Sequence, residues 1–347
     1  MSRVAVNLLL YKPGAYLEPC LKSVFEQTYR DLELLIIDNG SGDDTVERAG
    51  EILKRAVQRS QRVPAHRIIA NEKNSGFAAG HNQGIKESSG EFVFMLNQDI
   101  VLDPDYVKNI VKIFDGDEET GAAQGKLLRL KTDGEKFSKT QILDNTGLIF
   151  LKNRRIIARG QGQNDSGQFD KQEEIVMVDG AAPIFRRQAL EDARICLNGQ
   201  CEYLDEDFFM YKEDVDLGWR LRLAGWKAIY EPGSKAWHAR TAGDSAKTDY
   251  LAVIGERRKI SQFAKYVSFK NQRLMQIKND TLDSLLKNIF HFLPKEIGAW
   301  IYVLCFERYT WKAIRELFRQ APKALAKRKI IMAKRKVGSR EMEKWFK

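Results

Sequence analysis

Histidine and cysteine are scarce in this chain, with four of each in 347 residues. No HxxxH or HExxH spacing occurs, which excludes the helical zinc sites of metalloproteases. Cys20, Cys196, Cys201 and Cys305 form no CxxC pair and read as reduced thiols in a cytosolic protein without a zinc site. No GxxxxGK[ST] stretch is present, so a P-loop is excluded. The segment behind the first apolar run, KPGAY (12–16), lacks GxGxxG, so a dinucleotide site is unsupported. It is also a poor match to the glycine- and basic-rich loop of nucleotidyltransferases. No GxSxG elbow appears. No apolar run reaches the roughly 18 residues of a membrane span; the longest is IGAWIYVLCF (297–306), and no spanning helix is expected. The N-terminus, MSRVAVNLLLYKPG, has one basic residue before its apolar run and no small-residue cleavage site, and reads as a first strand rather than a signal peptide.

Hydrophobic residues make up 43% and charged residues 30% of the chain, as in a globular protein long enough for a large α/β domain with an appendage. No internal repeat or low-complexity linker interrupts it. Charge is uneven. Residues 241–347 hold 24 lysines and arginines against 10 acids, while residues 1–240 are net negative. Segment 321–340 has eight basic residues and no acid. Such a tail suits an anionic membrane surface, a solvated helix face or nucleic acid. It contains no aromatic side chain to stack on bases, so nucleic acid is not expected as a partner.

Strand and helix patterns alternate through the first hundred residues. Buried-strand patterns cover 4–11, 32–41, 66–71 and 91–99, with helical spacing over 16–27, 43–59 and around 82–87. This alternation predicts a mostly parallel α/β sheet flanked by helices, in which ligands bind beyond the carboxyl ends of the strands. Polar residues gather at those ends: Asp38-Asn39-Gly40-Ser41, Asn74-Ser75-Gly76 and Asn97-Gln98-Asp99. Each alone is an ordinary turn composition, but the three fall in register. Beyond residue 120 the pattern predicts shorter strands with glycine turns, and beyond 245 basic helices.

The chemistry on offer is carboxylate chemistry. Asp99 ends an apolar strand, where a hard cation could use it together with substrate phosphates. Glu213-Asp214 sits between an aromatic run, FFMY (208–211), and the helical pattern Val215, Trp219, Leu223. The pair suits a helix N-cap or a general base whose pKa is raised by burial. His238, in KAWHARTAG, is either a packed histidine or a metal or phosphate ligand.

Several segments, in order, resemble family 2 glycosyltransferases with the GT-A fold, and among them bacterial rhamnosyltransferase-like members. These are IIDNGSGDDT (36–45), NEKNSGFAAGHNQGI (71–85), FMLNQD (94–99), VDGAAPIFRR (178–187) and DEDFFMYKEDVDLGWRLRLAGW (205–226). The resemblance covers roughly residues 3–240. It implies a GT-A catalytic domain over 1–245, with a nucleotide-binding part at about 1–100 and an acceptor part at about 120–245, followed by a helical, basic region over 246–347. It implies an inverting transfer from a dTDP- or UDP-sugar, best matched by dTDP-L-rhamnose, to a glycan or lipid-linked glycan. Asp38, with Asn39 and Ser41, would contact the pyrimidine base, while Asn74, Gly76, Asn82 and Asn97 would line the nucleotide and diphosphate. Asp99 would bind Mg²⁺ or Mn²⁺ with help from His238. Asp179 and Gly180 would lie near sugar and acceptor. Asp214 would be the base, with Glu213 beside it. Two departures stand out. Gln98 replaces the proline common between Asn and Asp in relatives, which should loosen the turn. Lys12 replaces an asparagine, putting a cation where a base contact is expected. The basic C-terminus, with Trp300, Tyr302, Phe306 and Trp311 interleaved, is expected to rest peripherally on the inner face of the cell membrane; packing against the catalytic domain is the alternative.

Overall fold

The computed structural model describes residues 3–134, 136–240 and 250–347, without the side chains of 250–253; the expected boundary at 245 lies outside the described residues. The chain opens with β1 (Val4–Leu10), α1 (Leu17–Phe25), β2 (Leu32–Asp38), α2 (Thr45–Gln58), β3 (Ala65–Ala70), α3 (Phe77–Glu87) and β4 (Phe92–Asn97). These strands pair in parallel in the order β4-β1-β2-β3. All seven residues of β1 are buried, as a strand covered on both faces requires.

The next elements are β5 (Ile100–Leu102), α4 (Tyr106–Gly116), β6 (Thr120–Thr132), β7 (Phe137–Asn145), β8 (Leu148–Phe150), β9 (Ile156–Ala158) and β10 (Glu173–Ile175). They are followed by β11 (Ile184–Arg186), α5 (Arg187–Ala193), β12 (Ile195–Leu197), β13 (Gln200–Glu202), α6 (Glu213–Leu223) and β14 (Lys227–His238). The expected short strands are corrected in one respect. β6 runs for 13 residues, antiparallel to β7 but parallel to β14. Strand β11 joins the halves by pairing antiparallel with both β4 and β6. One sheet, β10-β14-β6-β11-β4-β1-β2-β3, thus carries the fold. The reading of all cysteines as free thiols is also corrected. The β12–β13 hairpin sets Cys196 opposite Cys201, and the two form a disulfide.

The rest is helical: α7 (Tyr250–Lys259), α8 (Gln262–Asn279), α9 (Leu282–Lys287), α10 (Ile289–Phe306), α11 (Trp311–Ala333) and α12 (Ser339–Met342). Helices α8 and α11 share a core with α6: Trp219 and Val215 cluster with Leu274, Met275, Leu317, Ala324 and Phe346. Two expectations change here. First, the basic tail is largely engaged by the protein itself. Lys327 lies 2.6 Å from Glu202, 2.6 Å from Asp205 and 2.7 Å from Asp207. Lys323 reaches Asp207, Arg328 caps carbonyls at the end of α8, and Lys334 bonds the carbonyl of Arg194. The acids that neutralise the tail lie over a hundred residues upstream, so composition alone could not reveal them. Second, α10 is a single 18-residue helix with mean hydropathy 1.3, long and apolar enough to cross a membrane by length and composition. The polar residues that broke the apolar run in sequence, Lys295 and Glu296, are accommodated within it.

Candidate active site

The strand-end motifs converge at the carboxyl ends of β1, β2 and β4. The Asp38 carboxylate accepts from the Ser41 backbone N–H at 3.1 Å and from the Ser41 hydroxyl. That hydroxyl oxygen also accepts from the Lys12 N–H at 2.9 Å. Asn39 is a brace between loops. Its Nδ2 donates to Asn74 Oδ1 and the Gly76 carbonyl at 3.1 and 3.0 Å. Its Oδ1 accepts from the N–H and the hydroxyl of Ser75 at 3.2 and 3.0 Å. All four of its hydrogen-bonding positions are thereby filled, which argues against Asn39 itself touching a base. Asn74 Oδ1 is filled by Asn39 and the Gly76 N–H, leaving its Nδ2 as a donor. Gly76 has φ +92°, and a Cβ there would lie 2.6 Å from the Phe209 ring and carbonyl. Only glycine permits this approach of the 74–76 loop to the loop around Phe209.

Asn82 corrects an expectation more fully. It is wholly buried. Its Nδ2 donates to the Leu204 carbonyl and Glu206 at 2.8 and 2.9 Å, and its Oδ1 accepts from the N–H groups of Tyr203 and Leu204. It fastens α3 to segment 203–206 and keeps nothing for a ligand. The expected loosening at Gln98 is also corrected. The Gln98 amide accepts from the Tyr11 N–H at 2.7 Å and donates to the Tyr11 carbonyl at 3.0 Å, tying the turn to β1 where proline would only have stiffened it. Asn97 takes part through its backbone, its N–H bonding the Ala181 carbonyl at 2.9 Å.

Asp99 Oδ2 lies 3.4 Å from His238 Nε2. The other ring nitrogen, Nδ1, is 2.8 Å from Asp144 Oδ2, an arrangement that fixes the ring and aims Nε2 at Asp99. Burial is the largest influence on the imidazole and pushes its pKa down, but Asp99 and Asp144 outweigh it and hold it at about 10. Burial likewise pushes the Asp99 carboxyl up, and His238 brings it below its usual value. Among the described residues no group of three or more His, Cys, Asp and Glu is arranged to hold a metal ion. The Asp99 carboxylate fits a hard divalent cation that takes its other ligands from phosphates, and His238, held protonated by its two carboxylates, would have to give up its Nε2 proton to join it.

Asp214 lies on the opposite flank. Its Oδ2 accepts from the Gly180 N–H at 3.2 Å and its Oδ1 from the Val215 N–H at 2.8 Å. Burial and then the nearby Asp179 raise its pKa, against Lys212, which lowers it. Glu213 is buried and pushed well above its usual range, first by burial and then by Asp214. The N-cap reading is corrected: Lys212 is the N-cap of α6 and the pair fills its first two positions, while burial raises both carboxyl pKa values, the direction a general base needs. Neither supplies a side-chain cap bond.

Sequence reasoning missed two sets of residues. Asp144 and Asn145 link the flanks: Asn145 Nδ2 donates to Asp179 Oδ2 at 2.8 Å while Asp144 holds His238. A contact path therefore runs from Asp214 through Gly180, Asp179, Asn145, Asp144 and His238 to Asp99. The available signal is the polar pair Asp144-Asn145 before a glycine in LDNTG (143–147), a composition that an ordinary turn shares. The second is Asn271 on α8. Its Nδ2 is shared among the carbonyls of Phe208, Met210 and Tyr211 at 2.9, 3.0 and 2.8 Å. Phe209, Tyr211 and Lys212, just ahead of Glu213, all have positive φ (62°, 67° and 78°). Such a run of strained non-glycine residues persists only where surroundings enforce it, and no local sequence pattern names the enforcing residue.

The family model described as glycosyl transferase family 2 matches residues 9–194. Poly-beta-1,6-N-acetyl-D-glucosamine synthase of Staphylococcus aureus (strain COL) is 26% identical over 237 residues, covering 68% of this chain and 50% of its own length. The chain thus spans about half the length of the curated relatives it matches. Among solved structures, residues 1–349 of S. aureus TarS superpose with TM-score 0.55 at 14% identity, covering 95% of this chain and 90% of that one. The same TarS fragment in complex with UDP-GlcNAc gives 0.54 at 13% identity. GalNAc-T7 with UDP, GalNAc and Mn²⁺ gives 0.54 at 12% identity, covering 86% and 57%. These likenesses show the GT-A-type fold.

Proposed function

The chain belongs to glycosyl transferase family 2, and from that premise we propose that it moves a sugar from a nucleotide diphosphate sugar to a hydroxyl of a growing cell-surface polysaccharide, with inversion at the anomeric carbon. The observation that supports this most directly is the contact path joining Asp214 to the Asp99–His238 pair. It supports reading Asp214 as the proton acceptor and the Asp99–His238 pair as the leaving-group site of one connected arrangement. Asp214 takes the acceptor hydroxyl's proton as that oxygen attacks in line. Its raised pKa makes it a stronger base, and the Gly180 and Val215 N–H groups fix its rotamer. General-base help of this kind is worth about 10²–10⁴-fold. Glu213 shapes the electrostatics beside it and has no assigned proton transfer. Asp99 and His238 would hold Mg²⁺ or Mn²⁺, which when bound supplies Lewis-acid stabilisation of the diphosphate leaving group. The Asp38–Ser41 turn would meet the pyrimidine base, and Asn74 Nδ2 and Lys12 would meet the phosphates.

On this reading the nucleotide part is at about 1–100 and the acceptor part at about 120–245, and α8 and α11 are counted with them functionally because Asn271 and Lys327 bond the segment ahead of Asp214. The acceptor is a glycan, lipid-linked at the inner face of the cell membrane. The donor implied by the motif resemblance is dTDP-L-rhamnose. A UDP-linked N-acetylhexosamine is the second reading, supported by the TarS complex with UDP-GlcNAc and by the N-acetylglucosamine synthase among the relatives.

A thermal-shift series of dTDP- and UDP-sugars with and without Mn²⁺ tests the reading. A true donor at a hundred times its Kd stabilises the fold by about 2.7 kcal/mol. That gain should need the metal and vanish in Asp99→Ala. If no nucleotide sugar stabilises the chain, the reading fails. The nucleotide that works selects between the two donors.

A further inference from the structure

Helix α10 turns its apolar face outward. Phe290, Leu293, Ile297, Ile301, Leu304 and Phe306, three or four residues apart except at the end, are 46–89% exposed. Only 11% of the helix is buried, and its buried residues are Glu296 and Val303. A helix of a globular protein usually presents such a stripe to the core, and an exposed face of this kind marks a contact surface. The inward face is fixed. Glu296 pairs with Arg273 of α8 at 2.7 Å and with Lys295 at 2.5 Å. Trp300 sits edge-on to Phe269, with centroids 5.2 Å apart.

The exposed charge that flanks the stripe along the chain is mainly positive. Lys287 precedes it; Arg308, Lys312 and Arg315 follow it, and all four are exposed. Among the described residues, Asp283 is the one exposed acid between 282 and 325. Trp311 and Phe318, 48% and 67% exposed, extend apolar surface among these cations. A second copy docked by a two-fold axis would bring like cations together. A bilayer span would strip the buried Arg273–Glu296 pair and carry Lys295 into hydrocarbon. Anionic lipid suits both apolar stripe and cations with the helix lying flat.

We propose that α10 is an in-plane docking helix that seats the protein on an anionic bilayer. This narrows the expected membrane contact of the basic C-terminal region to the surface over α10, since the fold engages Lys323, Lys327, Arg328 and Lys334 of the 321–340 tail. It also deepens the reading of a lipid-linked acceptor. Arg273, which anchors α10, is two residues from Asn271, which holds the catalytic loop, so a docked α10 keeps that loop beside the lipid surface.

The test is co-sedimentation of the full chain with vesicles of phosphatidylcholine alone or with roughly one third phosphatidylglycerol. It is read without donor, so its failure and that of the transfer reading are separable. The wild-type chain should pellet with the anionic vesicles and be released by alkaline carbonate. Ile297→Glu/Ile301→Glu should lower the partition about tenfold or more with unchanged circular dichroism, since both side chains are exposed. Lys312→Glu/Arg315→Glu should erase the preference for anionic vesicles. The proposal is overturned if the wild-type chain stays in the supernatant, if the Ile297→Glu/Ile301→Glu chain binds as before, or if carbonate fails to release the protein. It is overturned equally if the wild-type chain is a vesicle-indifferent dimer that the isoleucine substitutions split.

Discussion

The two flanks of the site are held by different means. On the nucleotide flank, Asp38, Asn39, Ser41, Asn74 and Ser75 satisfy one another across at most 37 residues of sequence. On the base flank, the loop before Glu213-Asp214 depends on groups far away. Asn271 holds its carbonyls from 60–63 residues downstream. Lys278 pairs with Asp205 and Asp216, and Lys327 reaches Asp205 across 122 residues. A turn that closes its own hydrogen bonds is stable by itself, whereas three consecutive-region residues with positive φ stand only while their braces do. The position of Asp214, the proposed base, is therefore set by the C-terminal helices as much as by the strand ends.

The largest effect expected is chemical and confined to one flank. Asp214→Asn should lower kcat by about 10²–10⁴-fold while the thermal shift given by the donor stays as in the wild-type chain. Lost donor binding would mean that the flanks are not independent. Next is the brace itself. Lys327→Met removes the cation shared by Glu202, Asp205 and Asp207, leaving Asp205 to Lys278 and Asp207 to Lys323, and breaking a buried network of this kind costs up to about 3–5 kcal/mol. The urea midpoint should fall accordingly. An unchanged midpoint would move the weight of the brace to Lys278 alone. Asn271→Ala comes third. It strips a shared donor from buried carbonyls, at about 1–3 kcal/mol, and frees the loop. As a positioning residue, Asn271 should show its loss mainly in kcat with the donor KM changed less, because it bonds the carbonyls ahead of Glu213-Asp214 and none of the Asp38–Ser41 turn. A rise in KM with kcat intact would make its role merely structural.

The same contrast explains what was readable in the sequence. Strands β1 to β4 and their helices follow from local alternation, and the loops behind them carry their own turn chemistry. Asp38, Ser41 and Asp99 consequently fell where strand-end reasoning put them. Asn82 did not. A polar residue on a helix beside a site looks the same in sequence whether it faces a ligand or, as here, four protein groups. Asp144 and Asn271 were invisible for the complementary reason, since their partners lie 94 and about 60 residues away. The tail shows the limit most plainly. Lys327 and Lys323 read as free surface charge because net charge over a window carries no information about acids elsewhere. Long apolar character in α10 was likewise hidden by Lys295-Glu296, whose charges pair with each other and with Arg273.

The smallest effect concerns stability and pH on the base flank. Glu213 is buried, its Oε2 has no hydrogen-bond partner, and burial followed by Asp214 pushes its pKa well above the unfolded value of 4.5. Between those two values the folded chain binds a proton that the unfolded chain releases. The contribution of Glu213 is thus fully present below about pH 4.5 and is lost as pH rises through the folded pKa. Glu213→Gln keeps the shape without the charge. It should leave the melting temperature nearly unchanged in acid, raise it in neutral buffer, and flatten the decline between. A melting temperature that drops in neutral buffer would show that the ionised carboxylate is paired there, with Lys212 the nearest cation that influences it. Glu213 would then be a brace of the base flank, not a strained neighbour of Asp214.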